Sequence, residues 1–293
     1  MKAGFVAIVG RPNVGKSTLL NRLVGRKLAI VTSRPQTTRN GILAVANRDN
    51  AQIVFYDTPG IHKPERELDR HMFQTAIQSL KGVDVALLLI DVGHADGASA
   101  GEDERVLKLV KDAGIPVVLG INKIDSRKKQ EVLPLIERYR HKHDFVAIVP
   151  LSGLTGDNVD RLEEVLIAHL PEGERLYPEE TLTELPERFF VAEIVREKIL
   201  RLTRLEVPYA TAVSVDAWDD SGELTRIEAS ILVDRDSQKL ILVGRAGSML
   251  KKIGTSARKD IERFLSRKVY LGLHVKVSAD WRDNKRVLDE LGI

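Results

Sequence analysis

The sequence predicts an α/β protein that begins with a doubly wound, mostly parallel sheet and continues into a smaller α+β domain. Two observations predict the first part. Apolar runs of strand length alternate with helical patterns through residue 169, and a glycine-rich loop joins the first strand to the first helix. The order α-β-β-α-α-β after residue 187, with its first strand at 209–215, predicts the second part. The last strand predicted in the first part is at 144–149. A length of 293 residues suits two domains, which we place at 1–170 and 188–293 with a linker at 171–187.

The glycine-rich loop fits the pattern G-x-x-x-x-G-K-S/T. Its glycines let successive N–H groups point at one place, and the N-terminus of the following helix favours an anion, so the loop predicts a phosphate site. Lys16 would reach the β- and γ-phosphates of a nucleotide, and the Ser17 hydroxyl would hold Mg²⁺. The pattern leaves the nucleotide open. The residues expected to line this site are Gly10, Arg11, Pro12, Asn13, Val14, Gly15, Lys16, Ser17 and Thr18.

Composition narrows the class of protein. The chain has no cysteine, which excludes disulfides, thiolate metal sites and cysteine nucleophiles and favours a reducing cytosol. The apolar run after Met1 and Lys2 is too short for a signal peptide, and no stretch reaches the ~18 apolar residues of a membrane span. A hydrophobic content of 43% is high enough for packed cores. We therefore expect a folded cytoplasmic protein.

Charge is distributed unevenly along the chain. The net charge is +3, yet residues 188–293 alone hold 20 Lys and Arg against 16 Asp and Glu. This excess suggests an anionic partner for the C-terminal third, although a solvated surface would show the same count.

Two polar segments follow the first helix. Residues 26–40, which include Pro35, predict a loop in which Thr37 and Thr38 could reach Mg²⁺ and sense a γ-phosphate. Next comes a hairpin of strands at 42–46 and 52–56. It leads into an Asp-Thr-Pro-Gly sequence whose carboxylate can hold the water shell of Mg²⁺ and whose glycine can offer its N–H to the γ-phosphate. By itself this tetrapeptide is an ordinary turn. The predicted metal ligands are Ser17, Thr38 and Asp57, and the further nucleotide contacts are Thr58, Pro59, Gly60 and Ile61.

The sequence Asn-Lys-Ile-Asp follows a buried strand and fits N-K-x-D, the pattern that selects a base. A buried Asp125 carboxylate would accept from guanine N1–H and N2–H₂, and adenine lacks that donor pair. Asn122 would brace the loop, while the Lys123 side chain would lie over the base. The alternative is an ordinary polar loop after a strand, and the order of this motif behind the other two argues against it. The base contacts that we expect are Asn122, Lys123, Ile124, Asp125, Ser152, Gly153 and Leu154.

A G-x-x-G sequence opens a helix in the C-terminal domain. Its two glycines would let a nucleic-acid backbone approach closely, as in KH modules, whose groove holds about four nucleotides of single strand. G-x-x-G alone is a weak pattern. The flanking element order strengthens it, as do seven Lys and Arg against two Asp and Glu in residues 248–268. The RNA contacts that we expect are Gly244, Arg245, Ala246, Gly247, Ser248, Lys251 and Lys252.

Taken in order, these motifs resemble the P-loop GTPases of the translation-factor class, and their details resemble the Era family. The resemblance rests on Gly-Arg-Pro-Asn-Val-Gly-Lys-Ser, Pro-Gln-Thr-Thr-Arg and Asp-Thr-Pro-Gly-Ile-His-Lys-Pro, and it covers essentially the whole chain. It implies a GTPase domain, a KH domain, Mg²⁺ as cofactor and a role in small-subunit assembly. The implied partners are GTP or GDP, the 3′ region of 16S rRNA and the 30S subunit. We expect a monomer. Gly153 departs from the usual alanine and predicts a looser loop.

The sequence departs from Ras-like enzymes at the position that orients the attacking water. Ras-like enzymes orient the attacking water with a glutamine just after the Asp-x-x-Gly turn, and Ile61 cannot do so. The resemblance implies that Asn13 could hold K⁺ in place of an arginine finger; the alternative is that Asn13 only stiffens the loop. The expected catalytic residues are Asn13, Lys16, Thr38 and Gly60.

Two other functions stay open. The chain could be an RNA-binding module with weak GTPase activity, which the complete motif set argues against. It could also be a membrane-associated regulatory GTPase attached peripherally to the inner membrane surface through basic patches.

Overall fold

A computed structural model describes residues 1–32, 34, 36–94 and 98–293, with backbone alone at 94, 98–100 and 129. Pro35, part of the predicted loop, lies outside the described residues. The chain folds into two compact units. The first holds residues 1–29, 35–65 and 69–184, and the second holds 30–34, 66–68 and 185–293.

The first unit is built on a six-stranded sheet in the order β2-β3-β1-β4-β5-β6. Neighbouring strands run parallel except β2 and β3, which form the predicted antiparallel hairpin. Strand β6 begins three residues later than the predicted strand start at residue 144. The strands are β1 Lys2–Val9, β2 Ile42–Arg48, β3 Ala51–Asp57, β4 Val85–Asp91, β5 Val117–Asn122 and β6 Ala147–Pro150.

Helices cover both faces of this sheet, which explains why β4 is apolar at every position before its final aspartate. Ala86, Leu88 and Ile90 pack with α2, α3 and α4, whereas α1 and α5 pack against the other face. Neither α2 nor α4 is among the predicted elements; α4 contains Pro134, which normally argues against a helix interior. The helices are α1 Lys16–Val24, α2 Glu67–Gln78, α3 Ala98–Ala113, α4 Lys129–Arg140 and α5 Val159–Ala168.

Residues 171–184 run along the sheet of the first unit. Gln52 of β3 is fully buried; its Oε1 accepts from the N–H groups of Leu176 and Tyr177 at 2.7 and 2.9 Å, and its Nε2 donates to the Tyr177 carbonyl. Val45 of the edge strand β2 donates its N–H to the Leu182 carbonyl at 2.8 Å. We call residues 171–184 the strap. The functional boundaries at 170 and 188 stay predictions.

The second unit has the predicted order α-β-β-α-α-β, followed by one more short helix. Its sheet runs β7-β8-β9, antiparallel between the first pair and parallel between the second. Residues 207–210 form a 3₁₀ turn, although a strand is predicted to start at residue 209; the fully buried Trp281 donates its indole N–H to the Ala210 carbonyl at 3.0 Å. The elements are α6 Glu187–Leu202, β7 Ala212–Asp219, β8 Thr225–Val233, α7 Asp236–Val243, α8 Ser248–Leu265, β9 Val269–Val277 and α9 Lys285–Glu290. No helix in the described ranges is both long and apolar enough to cross a bilayer.

Candidate nucleotide and RNA sites

The glycine-rich loop lies between β1 and α1, as predicted. Asn13 and Gly15 have left-handed backbone angles, with φ of 64° and 100°. A Cβ at Gly15 would lie 2.3 Å from Asn122 Nδ2, so this position requires glycine. Lys16 Nζ donates to the carbonyls of Gly10 and Arg11 at 2.9 and 3.0 Å, which places its ammonium group over the loop. The loop is therefore shaped as a cradle for an anion.

Arg11 does not face this cradle. Its guanidinium is buried, and its Nε lies 3.2 Å from Asp103 Oδ1 of α3. Burial raises the pKa of Asp103 to about 6, although the charge of Arg11 opposes the shift. We infer that Arg11 anchors the loop to α3 by its side chain.

Three predicted metal ligands meet beside Lys16. Ser17 Oγ lies 2.8 Å from Thr38 Oγ1 and 2.7 Å from Asp57 Oδ2, and Thr38 Oγ1 is 3.4 Å from the same carboxylate oxygen. The second carboxylate oxygen, Asp57 Oδ1, is buried and has no hydrogen-bond partner in the described part of the chain. Two hydroxyls and an unsatisfied carboxylate oxygen are the hard oxygen donors that Mg²⁺ takes, so the residues present fit that ion.

The charges at this point are set by burial. Burial lowers the pKa of Lys16 to about 8, against the attraction of Asp57, and raises the pKa of Asp57 to about 6, against the attraction of Lys16. Each group favours the charged form of the other, so the pair suits a cation for phosphate beside an anion for a metal ion.

The Asp-Thr-Pro-Gly turn rests directly on the glycine-rich loop. A Cβ at Gly60 would lie 2.7 Å from Pro12 Cα, and Ile61 donates its N–H to the Gly10 carbonyl at 3.2 Å. The Ile61 side chain is buried in the apolar core, so it cannot position water. Thr58 and Pro59 are buried in the same turn.

Three loops, each at the C-terminal end of a parallel strand, form the predicted base site. Asn122 Nδ2 donates to the Val14 carbonyl at 2.7 Å, and its Oδ1 accepts the Gly153 N–H at 2.9 Å, so this side chain braces two loops as expected. Lys123 Nζ donates to the Asn13 carbonyl at 2.7 Å and to Asp91 Oδ2 at 2.6 Å. Asp91 was missed, although its place at the C-terminal end of β4 could have indicated it.

Asp125 differs from the expectation in one respect. Its carboxylate accepts a short hydrogen bond from the buried Ser152 hydroxyl but is itself exposed, whereas the prediction is a buried group. Ile124, its neighbour, donates its N–H to the Leu151 carbonyl at 3.3 Å.

Gly153 lies against helix α1. Arg22 of α1 donates from Nε to the Gly153 carbonyl at 2.9 Å and from its second amino group to the carbonyl of the exposed Leu154. A Cβ at Gly153 would lie 3.3 Å from the backbone of Leu19. Glycine here allows α1 to approach closely, and the looser loop stays a prediction.

The G-x-x-G loop opens α8 as predicted. Gly244 and Gly247 have φ of 71° and 77°, and a Cβ at Gly244 would lie 2.7 Å from that of Met249. Beside the loop is an open cavity of about 500 Å³ between α8 and β9, which we call the groove. The groove is lined by Gly247, Leu250, Lys251, Gly254, Thr255, Arg258, Tyr270, Leu271 and Leu273.

Only part of the predicted RNA-binding set lines this groove. Gly247 and Lys251 do, whereas Arg245, Ser248 and Lys252 are exposed on the loop and helix outside the lining. Arg258 and Tyr270 were missed. The helical spacing of 247, 251, 254 and 258 could have indicated that these residues share one face of α8.

Family models match both units. One described as a 50S ribosome-binding GTPase matches residues 5–123, and a KH domain model matches residues 206–282. A GTPase Era from Geobacter metallireducens is 47% identical over 293 residues, which cover 99% of this chain and 97% of that protein. One from Geotalea uraniireducens is 48% identical over 292 residues, again covering 99% and 97%. This chain belongs to the Era family.

Solved Era structures agree with the fold. An Aquifex aeolicus Era variant bound to GDP·AlF4⁻ matches with a TM-score of 0.95 at 44% identity, covering 100% of this chain and 99% of that one. An Era complex with MgGDPNP and nucleotides 1506–1542 of 16S ribosomal RNA matches equally well. These matches confirm the predicted fold, a parallel-dominated α/β GTPase domain followed by a small KH domain, and they confirm that the chain is a GTPase that hydrolyses GTP to GDP and phosphate.

Proposed function

We propose that this Era-family GTPase is a GTP switch that binds 16S rRNA near its 3′ end through the KH groove and acts in assembly of the small ribosomal subunit. The observation that carries the proposal is the pairing, in one chain, of a complete phosphate, metal and base cluster with a cationic groove beside a G-x-x-G loop. The full-length similarity to an Era bound to MgGDPNP and 16S nucleotides 1506–1542 supports it.

The binding test uses the RNA that the proposal names. We expect the protein to bind a single-stranded RNA with the 3′ end sequence of 16S rRNA more tightly than a scrambled RNA of equal length, because phosphate contacts alone give no sequence preference. Gly247→Asp should weaken binding, since it places a carboxylate where phosphate approaches. Equal affinity for both RNAs, or full binding by Gly247→Asp, would refute the proposed RNA site.

We propose the nucleotide roles from the residue types and their arrangement. Lys16 would contact the β- and γ-phosphates, Ser17, Thr38 and Asp57 would hold Mg²⁺, and the Gly60 N–H would face the γ-phosphate. When bound, Mg²⁺ neutralises charge on the phosphate oxygens. Thr37, the residue before Thr38, is proposed as a further nucleotide contact.

Base choice rests on Asp125. Its exposed carboxylate, oriented by Ser152, accepts from guanine N1–H and N2–H₂. We expect GTP to be hydrolysed in preference to ATP. An enzyme that turns over ATP as fast as GTP would contradict this role.

K⁺ at Asn13 is the second cofactor proposal. The Asn13 side chain is exposed at the rim of the loop, where a cation would lie close to the phosphates. Its left-handed φ of 64°, which asparagine tolerates, equally suits a purely structural role. The measurement is hydrolysis in K⁺ against Na⁺. Equal rates, with no loss in Asn13→Ala, would remove K⁺ and Asn13 from catalysis.

We place the protein in the cytoplasm as a monomer that associates with the 30S subunit. Peripheral attachment to the inner membrane surface is the alternative. It predicts co-sedimentation with anionic vesicles that is lost at high salt, and the absence of co-sedimentation would exclude it.

A further inference from the structure

Asp69 connects two segments that belong to separate sequence motifs. It is the third residue of α2 and is buried, with 6% of its surface exposed. Its Oδ1 accepts from Gln36 Nε2 at 2.8 Å and lies 3.2 Å from His62 Nε2, and its Oδ2 accepts the Glu65 N–H at 3.2 Å. One carboxylate thus joins the segment before Thr38 to the segment after Gly60.

The connection continues to the turn that faces the phosphates. His62 Nδ1 lies 3.0 Å from the Gly60 carbonyl. Both ring nitrogens therefore face oxygen acceptors, and both can donate only when the ring is protonated. The hydrogen bond to Asp69 raises the pKa of His62, which favours this form. The charged groups acting on His62 are Asp69 of α2 and Glu102 of α3.

We propose that Asp69 is a positioning residue that holds the Thr38 segment and the Gly60 segment together, so that both reach the γ-phosphate in one arrangement. The proposal rests on the nucleotide roles given above to Thr38 and Gly60. Gln36 lies two residues before Thr38, and His62 lies two residues after Gly60. Each residue that contacts Asp69 is therefore only two positions from a residue proposed to reach the γ-phosphate.

A simpler role for Asp69 is to stabilise the start of α2. Its bond to the Glu65 N–H resembles an N-terminal cap, and an acidic residue in a first turn is favourable in any helix. A cap uses only one carboxylate oxygen. The other oxygen contacts Gln36 and His62, which lie outside the helix. The experiment must therefore separate the effect of this contact from the effect of the cap.

The experiment compares Asp69→Asn, Gln36→Asn and the double variant in the full chain with Mg²⁺. Asparagine keeps the left-handed φ of 58° at position 36 but is too short to reach Asp69. We expect each single variant to lower kcat for GTP about tenfold and to leave GDP affinity within about twofold, because GDP lacks the γ-phosphate that the two segments are proposed to reach and because Ser17 and Asp57 would still hold Mg²⁺. The double variant should be no slower than Asp69→Asn, since asparagine leaves one acceptor oxygen for the three contacts to Gln36, His62 and the Glu65 N–H, and Gln36→Asn acts on the same connection.

Asn284→Ala is the matched control. It removes a side-chain cap from α9 in the second unit, where the Asn284 oxygen accepts the Val287 N–H. We expect it to lower Tm without changing kcat. If Asp69→Asn behaves like this control, or if the two single effects multiply in the double variant, the proposal is wrong.

Two further variants keep the test decisive. If Asp69→Asn does not fold, Gln36→Asn and His62→Asn compared with their double variant test the same connection with Asp69 in place; multiplicative effects would refute it. Lys16→Ala tests the nucleotide site itself. Wild-type hydrolysis by Lys16→Ala would refute the proposed nucleotide roles, whereas normal hydrolysis by the Asp69 and Gln36 variants alone would refute only the positioning role.

Discussion

At the scale of single residues, Gly60 has little tolerance for change. A Cβ there would lie 2.7 Å from Pro12 Cα and 2.8 Å from Pro12 N, and backbone cannot move aside as a side-chain end can. We expect Gly60→Ala to lower the free energy of unfolding by about 1–3 kcal/mol and to slow GTP hydrolysis, measured by urea denaturation and phosphate release. Gly101→Ala is the control: nothing lies within 4 Å of its Cβ, and in a helix alanine should be neutral or stabilising. Equal effects of the two changes would contradict this account.

His62 makes the free energy of unfolding depend on pH. Its pKa is raised in the folded state by the hydrogen bond to Asp69. Its contribution to stability is therefore fully present below the unfolded pKa of about 6.5 and is lost as pH rises through the folded value. We expect His62→Asn to be destabilised relative to wild type at about pH 6 and less so at about pH 9. Asn284→Ala, which removes a helix cap and no titratable group, should show no such trend. A difference that is constant with pH would contradict the assignment.

At the scale of elements, the strap depends on Gln52. This fully buried side chain satisfies the N–H groups of Leu176 and Tyr177, which would otherwise lack these partners. We expect Gln52→Leu to reduce the free energy of unfolding by about 2 kcal/mol and to speed proteolysis within residues 171–184. The exposed Gln78 offers a control, since Gln78→Leu should change neither. A protease-resistant strap in Gln52→Leu would show that other contacts hold it.

Helix α8 carries the proposed RNA face. Arg258 lines the groove, whereas Arg263 on the same helix lies outside its lining and pairs with Asp260 at 3.0 Å. We expect Arg258→Ala to weaken RNA binding about 3–10-fold and to reduce the slope of log Kd against log salt by about one. Arg263→Ala should do much less. Equal losses would mean that general positive charge, not the groove, binds RNA.

The sequence predicted the parts of the site that lie within single motifs. The glycine-rich loop, the Asp57 turn and the Asn122 loop each follow a strand, and parallel strands bring their carboxyl ends to one edge. It did not predict α2, so Asp69 could not be connected with Gln36 or His62. That contact joins residues 33 positions apart, and no local pattern encodes it. The close approach of Leu19 to Gly153 was not predicted for the same reason, because Leu19 belongs to another element.

At the scale of the whole molecule, the chain joins a nucleotide cluster in one unit to an RNA groove in the other. Each cluster is complete within its own unit: Ser17, Thr38 and Asp57 in the first, and Gly247, Lys251 and Arg258 in the second. The two activities can therefore be removed one at a time. Gly247 suits this purpose because nothing lies within 4 Å of a Cβ built there and because aspartate tolerates a left-handed φ better than most residues do.

The central claim is that one chain hydrolyses GTP at Lys16 and binds RNA at Gly247, and a crossed comparison of Lys16→Ala with Gly247→Asp tests it most directly. GTP hydrolysis and binding to the 3′ end of 16S rRNA are measured for both variants. The account predicts that Lys16→Ala loses hydrolysis and keeps RNA binding without nucleotide, while Gly247→Asp keeps hydrolysis without RNA and loses RNA binding. Hydrolysis by Lys16→Ala, or wild-type RNA affinity in Gly247→Asp, would contradict it.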